Sequence, residues 1–237
     1  MIKLDHLSKR AEIKYKVFYK DIHKLYSWIS LQSTFKKTFG EREVSSLYFD
    51  TSNYDFAFSN MSGESKRIKI RARWYSPINS DFKDQFTNEQ SFNVEMKRKI
   101  NNFSDKINLG TIDASGKHSI NERIDYLQSS LLRLLKSNIL TLKGDVLSSV
   151  FINYKREYYE DTLRTGIRLT IDRDFSYGNS KPFSKLFLQS KNSLIVELKF
   201  NPQKRAIVEK LMHNFPFRQT RSSKFLYGLS QIKNVSY

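Results

Sequence analysis

Alternation of polar and apolar residues is the dominant pattern of this chain. From Arg67 to Tyr75 it reads Arg-Ile-Lys-Ile-Arg-Ala-Arg-Trp-Tyr, so Arg67, Lys69, Arg71 and Arg73 share one side of a strand, with Ile68, Ile70, Ala72 and Trp74 on the other. The same period predicts strands at Ala11 to Phe18, Val44 to Phe49, Ser91 to Ile100, Val150 to Tyr159, Ile167 to Asp172 and Ser193 to Phe200. Helical spacing interrupts them. Asp21 is placed to cap a helix carrying Ile22, Leu25, Tyr26 and Ile29, and a short helical piece is expected near Tyr54 to Phe58. Ser119-Ile-Asn-Glu122 has the form of a capping box, heading a helix with Ile120, Ile124, Leu127, Leu131, Leu134 and Leu135. Pro202 opens a helix bearing Ile207, Val208 and Leu211, which Pro216 ends. Pro77 to Gln90 reads as a hairpin loop, and the stretch around Gly178 and Pro182 as a polar loop.

What distinguishes the polar sides of these strands is charge. Glu12, Lys14 and Lys16 share a face, as do Glu95, Lys97 and Lys99; Tyr154, Arg156 and Tyr158; Arg168, Thr170 and Asp172; and Glu197 and Lys199. Cations two residues apart lie about 7 Å from one another, which costs about 0.6 kcal/mol per pair in water and several times more at an effective dielectric near 20. A wet surface tolerates such a row; an enclosed space needs an anion. Any one of these strands reads as an ordinary solvated face, but such faces normally mix Thr, Ser and Gln with charge. A closed antiparallel barrel would gather the rows inside and turn the apolar sides outward against helices. The expected architecture is therefore α+β: a closed antiparallel barrel with helices outside it, in a single domain over residues 1–237.

Composition narrows the partner. Against 24 Asp and Glu stand 41 Lys and Arg, a net charge of +17, which calls for nucleic acid, an anionic membrane or a phosphate-rich small molecule. With no cysteine, disulfides, thiolate zinc sites and cysteine nucleophiles are excluded. The first residues lack the apolar run of a signal peptide and no segment approaches the roughly 20 apolar residues of a membrane span, so a cytoplasmic protein is expected.

Several signals carry little. Gly110 to Ser119 superficially suggests a P-loop, but it has one residue too many and His118 stands where the metal-binding hydroxyl belongs. His6, His23, His118 and His213 are too dispersed for a zinc site. Trp28 and Trp74 read as packing residues, Asp50 as a cap, and Asp172 as a partner for Arg168.

Eight short motifs in order resemble the catalytic domain of the vacuolar transporter chaperone (VTC) family, the polyphosphate polymerases of the triphosphate tunnel metalloenzyme superfamily. They are Arg10-Ala-Glu-Ile-Lys-Tyr15, Ser46-Leu-Tyr-Phe-Asp-Thr51, Arg71-Ala-Arg-Trp-Tyr75, Glu95-Met-Lys97, Tyr154-Lys-Arg156, Arg168-Leu-Thr-Ile-Asp172, Glu197-Leu-Lys199 and Ser223-Lys224-Phe225. No single motif is specific; the set in sequence is, and the fold the resemblance implies is a closed barrel of about eight antiparallel strands flanked by helices. The resemblance implies that Lys14, Arg71, Arg73, Lys97, Arg156, Arg168 and Lys224 hold phosphate oxygens, with hydroxyls from Tyr154 and Ser223. Lys69 joins the substrate-binding candidates by its shared face alone, while Tyr154 reads equally well as a bonded core tyrosine. Glu197 resembles the family's metal-binding carboxylate and Glu95 is a weaker candidate for the same Mn2+ or Mg2+.

The activity implied is transfer of the γ-phosphoryl group of ATP to a growing polyphosphate chain, a reaction that needs no protein nucleophile. Hydrolytic members of the superfamily carry Glu-x-Glu-x-Lys near the N-terminus, whereas Glu12-Ile-Lys-Tyr-Lys16 keeps one acid. That favours a polymerase over the alternatives: a metal-dependent triphosphatase, or a polyphosphate- or RNA-binding module without turnover. Nucleic acid is the less favoured partner. The inositol-phosphate-sensing domain and membrane spans of the eukaryotic polymerases have no counterpart here, which leaves room for a separate membrane or regulatory partner.

Overall fold

The computed structural model describes residues 11–100, 103–137, 142, 144–163, 165–181, 183, 188–190 and 192–233. Arg10, His6 and Pro182, named above, lie outside them. The strands are β1 (Ala11–Phe18), β2 (Phe35–Thr51), β3 (Lys66–Ser76), β4 (Ser91–Ile100), β5 (Phe103–Asp113), β6 (Val146–Asp161), β7 (Arg168–Asn179), β8 (Leu188–Ser190) and β9 (Ser193–Phe200). The helices are α1 (Ile22–Leu31), α2 (Asp55–Met61), α3 (Phe82–Asn88), α4 (Ile120–Ser137), α5 (Arg205–Leu211) and α6 (Lys224–Lys233). One sheet takes the strands in the order β1-β9-β7-β6-β2-β3-β4-β5, with β8 beside β7. The ladders β1–β9, β7–β9, β2–β3, β3–β4 and β4–β5 are antiparallel. This is the expected antiparallel sheet with flanking helices; the described ladders include none joining β5 back to β1.

Two compact units divide the chain. The first draws on residues within 1–42, 154–175 and 190–222, the second on those within 43–153, 176–189 and 223–237. Each has its own core, built from the apolar side of its strands.

In the first unit Val17 of β1, Leu169 and Ile171 of β7, and Leu194, Val196 and Leu198 of β9 pack with Leu25, Trp28 and Ile29 of α1 and Val208 of α5. In the second, Ile70, Ala72 and Trp74 of β3 and Phe92, Val94 and Met96 of β4 meet Ile124, Leu127, Leu131 and Leu135 of α4. Trp74 has the rings of Phe82, Phe86, Phe92 and Phe151 around it at 5.2–6.3 Å. Each such buried side chain contributes about 1.5–3 kcal/mol, and alternation then leaves the charged side chains on the opposite face.

Capping sets where the helices begin. Asp50 accepts from the backbone N–H groups of Thr51, Phe56 and Ala57 at 2.8–2.9 Å, anchoring α2 as expected. Ser119 Oγ accepts from Glu122 N at 3.2 Å, but the Glu122 carboxylate reaches His118 N at 3.3 Å. Asp21 makes no cap bond; its carboxylate takes Lys24 at 2.7 Å.

Three further expectations need correcting. Pro77 to Gln90 contains α3, capped by Asp81. Strand β2 begins nine residues before Val44, where exposed residues from Lys36 to Gly40 hide the alternation. Gly178 belongs to β7 rather than to a loop.

One glycine positions an element that matters below. A Cβ on Gly228 of α6 would come within 2.9 Å of the Tyr177 ring, 3.2 Å of Ile152 and 3.3 Å of Val150, so a side chain there would force α6 away from β6 and β7.

Candidate active site

In the second unit the cation row of β3 lies between β2 and β4. Register places Arg71 between Tyr48 of β2 and Glu95 of β4, and Arg73 between Ser46 and Asn93. Arg71 donates from Nε and Nη2 to Glu95 Oε2 at 2.9 and 2.7 Å, and from Nη1 to the Tyr48 hydroxyl at 3.0 Å. The guanidinium is thus gripped on two edges, which fixes its plane. Lys106 of β5 approaches Glu95 Oε1 at 2.6 Å, and Arg73 stands 4.0 Å from Oε2. Burial pushes the Glu95 carboxyl up, but Arg71, Arg73 and Lys106 together bring it down to about 2.

Next along the sheet, Lys69, Lys97 and Lys106 stand in register across β3, β4 and β5. Side chains directly opposite lie about 5 Å apart, so each like-charge pair costs about 0.8 kcal/mol even in water. Glu95 offsets part of that cost at Lys106, and an anion laid along the row would offset more. Lys69 donates to Ser223 Oγ at 2.9 Å, and Ser223 Oγ in turn accepts from Leu226 N at the start of α6. Phe225 of α6 stacks on Tyr48 with ring centroids 5.0 Å apart. Lys69, Arg71, Arg73, Lys97, Ser223 and Lys224 are thereby collected within one unit.

The first unit holds a different arrangement. Register across β1, β9 and β7 makes one row of Lys14, Glu197 and Thr170, and a second of Glu12, Lys199 and Arg168. Lys14 Nζ meets Glu12 at 2.8 Å and donates to the Ser222 carbonyl at 3.2 Å. Burial works against its charge, yet Glu197 and Glu12 outweigh that and hold Lys14 above the ordinary lysine range. Lys199 pairs with Glu197 at 2.8 Å.

Arg156 donates from Nε and Nη2 to the two oxygens of Asp172 at 2.5 and 2.8 Å, with its guanidinium over the Tyr154 ring at 5.2 Å. Asp172 is therefore the partner of Arg156, where Arg168 was expected. Arg168 and Asp172 stand four residues apart on β7, about 13 Å, whereas a neighbouring strand brings side chains to about 5 Å. Arg168 itself is exposed at the start of β7 and pairs with Glu160 at 3.2 Å, apart from the Arg156 cluster.

The VTC domain family model matches residues 9–233. The chain belongs to the VTC domain family. As a VTC domain it falls within the triphosphate tunnel metalloenzyme superfamily, and solved structures agree on the fold. A Hippeastrum protein provisionally assigned as an adenylyl cyclase, and described with a dominant triphosphatase activity, is 16% identical over 94% of this chain and 96% of its own, with a TM-score of 0.54. Provisionally assigned adenylate cyclases from Bacillus halodurans and Vibrio parahaemolyticus give TM-scores of 0.52 and 0.51 at 12% and 14% identity. The Bacillus halodurans comparison covers 95% of this chain and 99% of that one, the Vibrio parahaemolyticus comparison 92% and 95%. Among curated proteins, none matches this sequence.

Membership of this superfamily implies a divalent cation, and the donor set can be tested for one. Among the described residues no group of three or more His, Asp or Glu is placed to hold a metal by itself. Mg2+ and Mn2+, however, bind through one or two carboxylates with phosphate oxygens completing the shell. Glu197 suits that role: it is buried, and directly across from it stands Thr170, whose buried Oγ1 has no hydrogen-bond partner among the described residues. Glu95 fits less readily, because Lys106 engages one of its oxygens and Arg71 the other through both Nε and Nη2, while Glu197 meets Lys199 at Oε1. It pairs instead with Arg71, Arg73 and Lys106.

Sequence reasoning missed Tyr48, Lys106 and Thr170 as members of these clusters. Tyr48 lay inside a quoted motif and alternates with Ser46, a signal that was available. Lys106 sits on β5, whose alternation is interrupted at Gly110, where φ is +125° and the ladder to β4 shifts register. Among the described residues no helix is long and apolar enough to cross a membrane.

Proposed function

We propose that this VTC domain transfers the γ-phosphoryl group of ATP to the end of an inorganic polyphosphate chain. The reading rests on family membership together with one observation: Glu12 is the one acid on β1, and it is paired with Lys14. A hydrolase needs a base to activate water; a polymerase does not, because a terminal phosphate oxygen of the acceptor attacks the γ-phosphorus in line and ADP leaves.

Arg71 and Arg73 neutralise charge on the transferring group, the plane of Arg71 fixed by Glu95 and Tyr48 before substrate arrives. Lys69, Lys97 and Lys224 hold further phosphates, with Ser223 as a hydroxyl contact. Lys14 and Arg156 do the same in the first unit, and Arg168, at the exposed end of β7, draws anions in. Glu197 and Thr170 would hold Mg2+ or Mn2+, which when bound supplies charge neutralisation on neighbouring phosphate oxygens.

A triphosphatase is the second reading, favoured by the described activity of the Hippeastrum neighbour. Incubation of the protein with ATP and Mn2+ followed by resolution of products by length separates them. Long phosphate chains support the polymerase, orthophosphate alone supports the hydrolase, and unchanged ATP with tight polyphosphate binding leaves a binding module.

A further inference from the structure

A ladder of alternating cations and rings leads outward from Arg156. The guanidinium lies over Tyr154 at 5.2 Å on one side and 6.0 Å from the Tyr158 ring on the other. Tyr158 meets Phe39 edge-to-face with centroids 5.9 Å apart, and the Arg42 guanidinium stands 5.7 Å from the Phe39 ring. Burial falls along this path: Tyr154 is 2% exposed and Phe39 is 52% exposed. Around Phe39 the chain is open, for every residue from Lys36 to Gly40 is exposed.

An exposed phenylalanine loses free energy in water unless something covers it. Here the covering group must also tolerate a cation at its side, which a flat aromatic heterocycle does. Two steps of about 6 Å separate a phosphate-binding guanidinium from an open ring, and a nucleotide carries phosphate and base at opposite ends. We infer that Phe39 and Arg42 form a stacking platform for the base of the nucleoside triphosphate, with its phosphates towards Arg156. Stacking recognises the face of the ring and not its edges, so purine triphosphates are accepted alike. This rests on the proposed use of ATP and adds the residues that tell a nucleotide from a bare phosphate chain.

The test is calorimetric titration of the full chain with ATP and, separately, with inorganic tripolyphosphate, both without divalent metal. Phe39→Ala is expected to weaken ATP about tenfold and leave tripolyphosphate unchanged, while Phe39→Trp keeps or tightens ATP binding. Because Phe39 is exposed, neither variant threatens the core. Unchanged ATP affinity in Phe39→Ala, or an equal loss for both ligands, overturns the platform. Failure of the wild-type protein to bind either ligand would instead overturn the phosphate-site reading on which the platform rests.

Discussion

The two units solve the same electrostatic problem in opposite ways. In the first, Lys14, Lys199 and Arg156 are each matched to an acid, Glu12, Glu197 and Asp172 respectively. In the second, Glu95 is shared among Arg71, Arg73 and Lys106, while Lys69 and Lys97 add charge in the adjacent register. Near-neutral pairing gives a region that accepts another cation alongside an anion. One carboxylate shared by three cations gives a region that accepts the anion alone. The contrast suits a metal at Glu197 and bare phosphate oxygens at Arg71 and Arg73.

Substitutions at those two places break the comparison most sharply. Arg71→Ala is expected to cut turnover at least about a hundredfold and to weaken metal-free tripolyphosphate binding as well. Glu197→Gln should cost turnover about as much, yet leave metal-free tripolyphosphate affinity nearly intact, since the amide removes a metal ligand and no phosphate donor. Parallel kinetics and titration decide it. If both variants lose metal-free binding equally, the division of labour is wrong.

Glu95→Gln probes the surplus itself. With the native carboxyl brought down to about 2, this group stabilises the fold at every pH above the ordinary glutamate range and loses that contribution as pH falls towards 2. The gap is worth roughly 3 kcal/mol at neutral pH, and the variant should forfeit most of it. Denaturant midpoints measured from pH 7 to pH 2.5 should fall less steeply for Glu95→Gln than for the wild type. Tripolyphosphate should restore part of the variant's stability, because it replaces the missing anion. Identical pH slopes would mean Glu95 does not hold the cluster together.

Strands β1, β4 and β9 were legible to the residue, because buried side chains recur at every second position within each: Tyr15 and Val17; Phe92, Val94 and Met96; Leu194, Val196, Leu198 and Phe200. The first half of β2 was not, since Lys36 to Gly40 are exposed and no core imposes a period on them. Helix α6 went unrecognised even though Ser223-Lys224-Phe225 at its start was singled out; its packing depends on Gly228 meeting Tyr177, a contact between residues distant in sequence. Candidate site residues were legible as charged faces, but their partners were not. That Arg156 takes Asp172, and that Glu95 serves Arg71 and Lys106, follows from strand order and register, which alternation within a single strand does not encode.

The smallest expected effect, and the most discriminating within the second unit, is that of Tyr48→Phe. The ring and its stack on Phe225 survive; what goes is the hydroxyl that accepts from Arg71 Nη1. Glu95 still holds the other edge of the guanidinium, so tripolyphosphate affinity should fall only about threefold at neutral pH. Alkaline pH supplies a second test. Burial raises the Tyr48 phenol, but Arg71, Arg73 and Lys224 outweigh it and leave the group below the ordinary tyrosine range, with the neutral Tyr177 phenol also close by. As pH rises through that lowered value the phenolate becomes an internal anion competing with phosphate for the same cations. Affinity of the wild type should therefore decline towards pH 10 more steeply than that of Tyr48→Phe, and the two titration curves should converge. Parallel curves would place Tyr48 outside the electrostatics of the site and leave Glu95 as the group that aims Arg71.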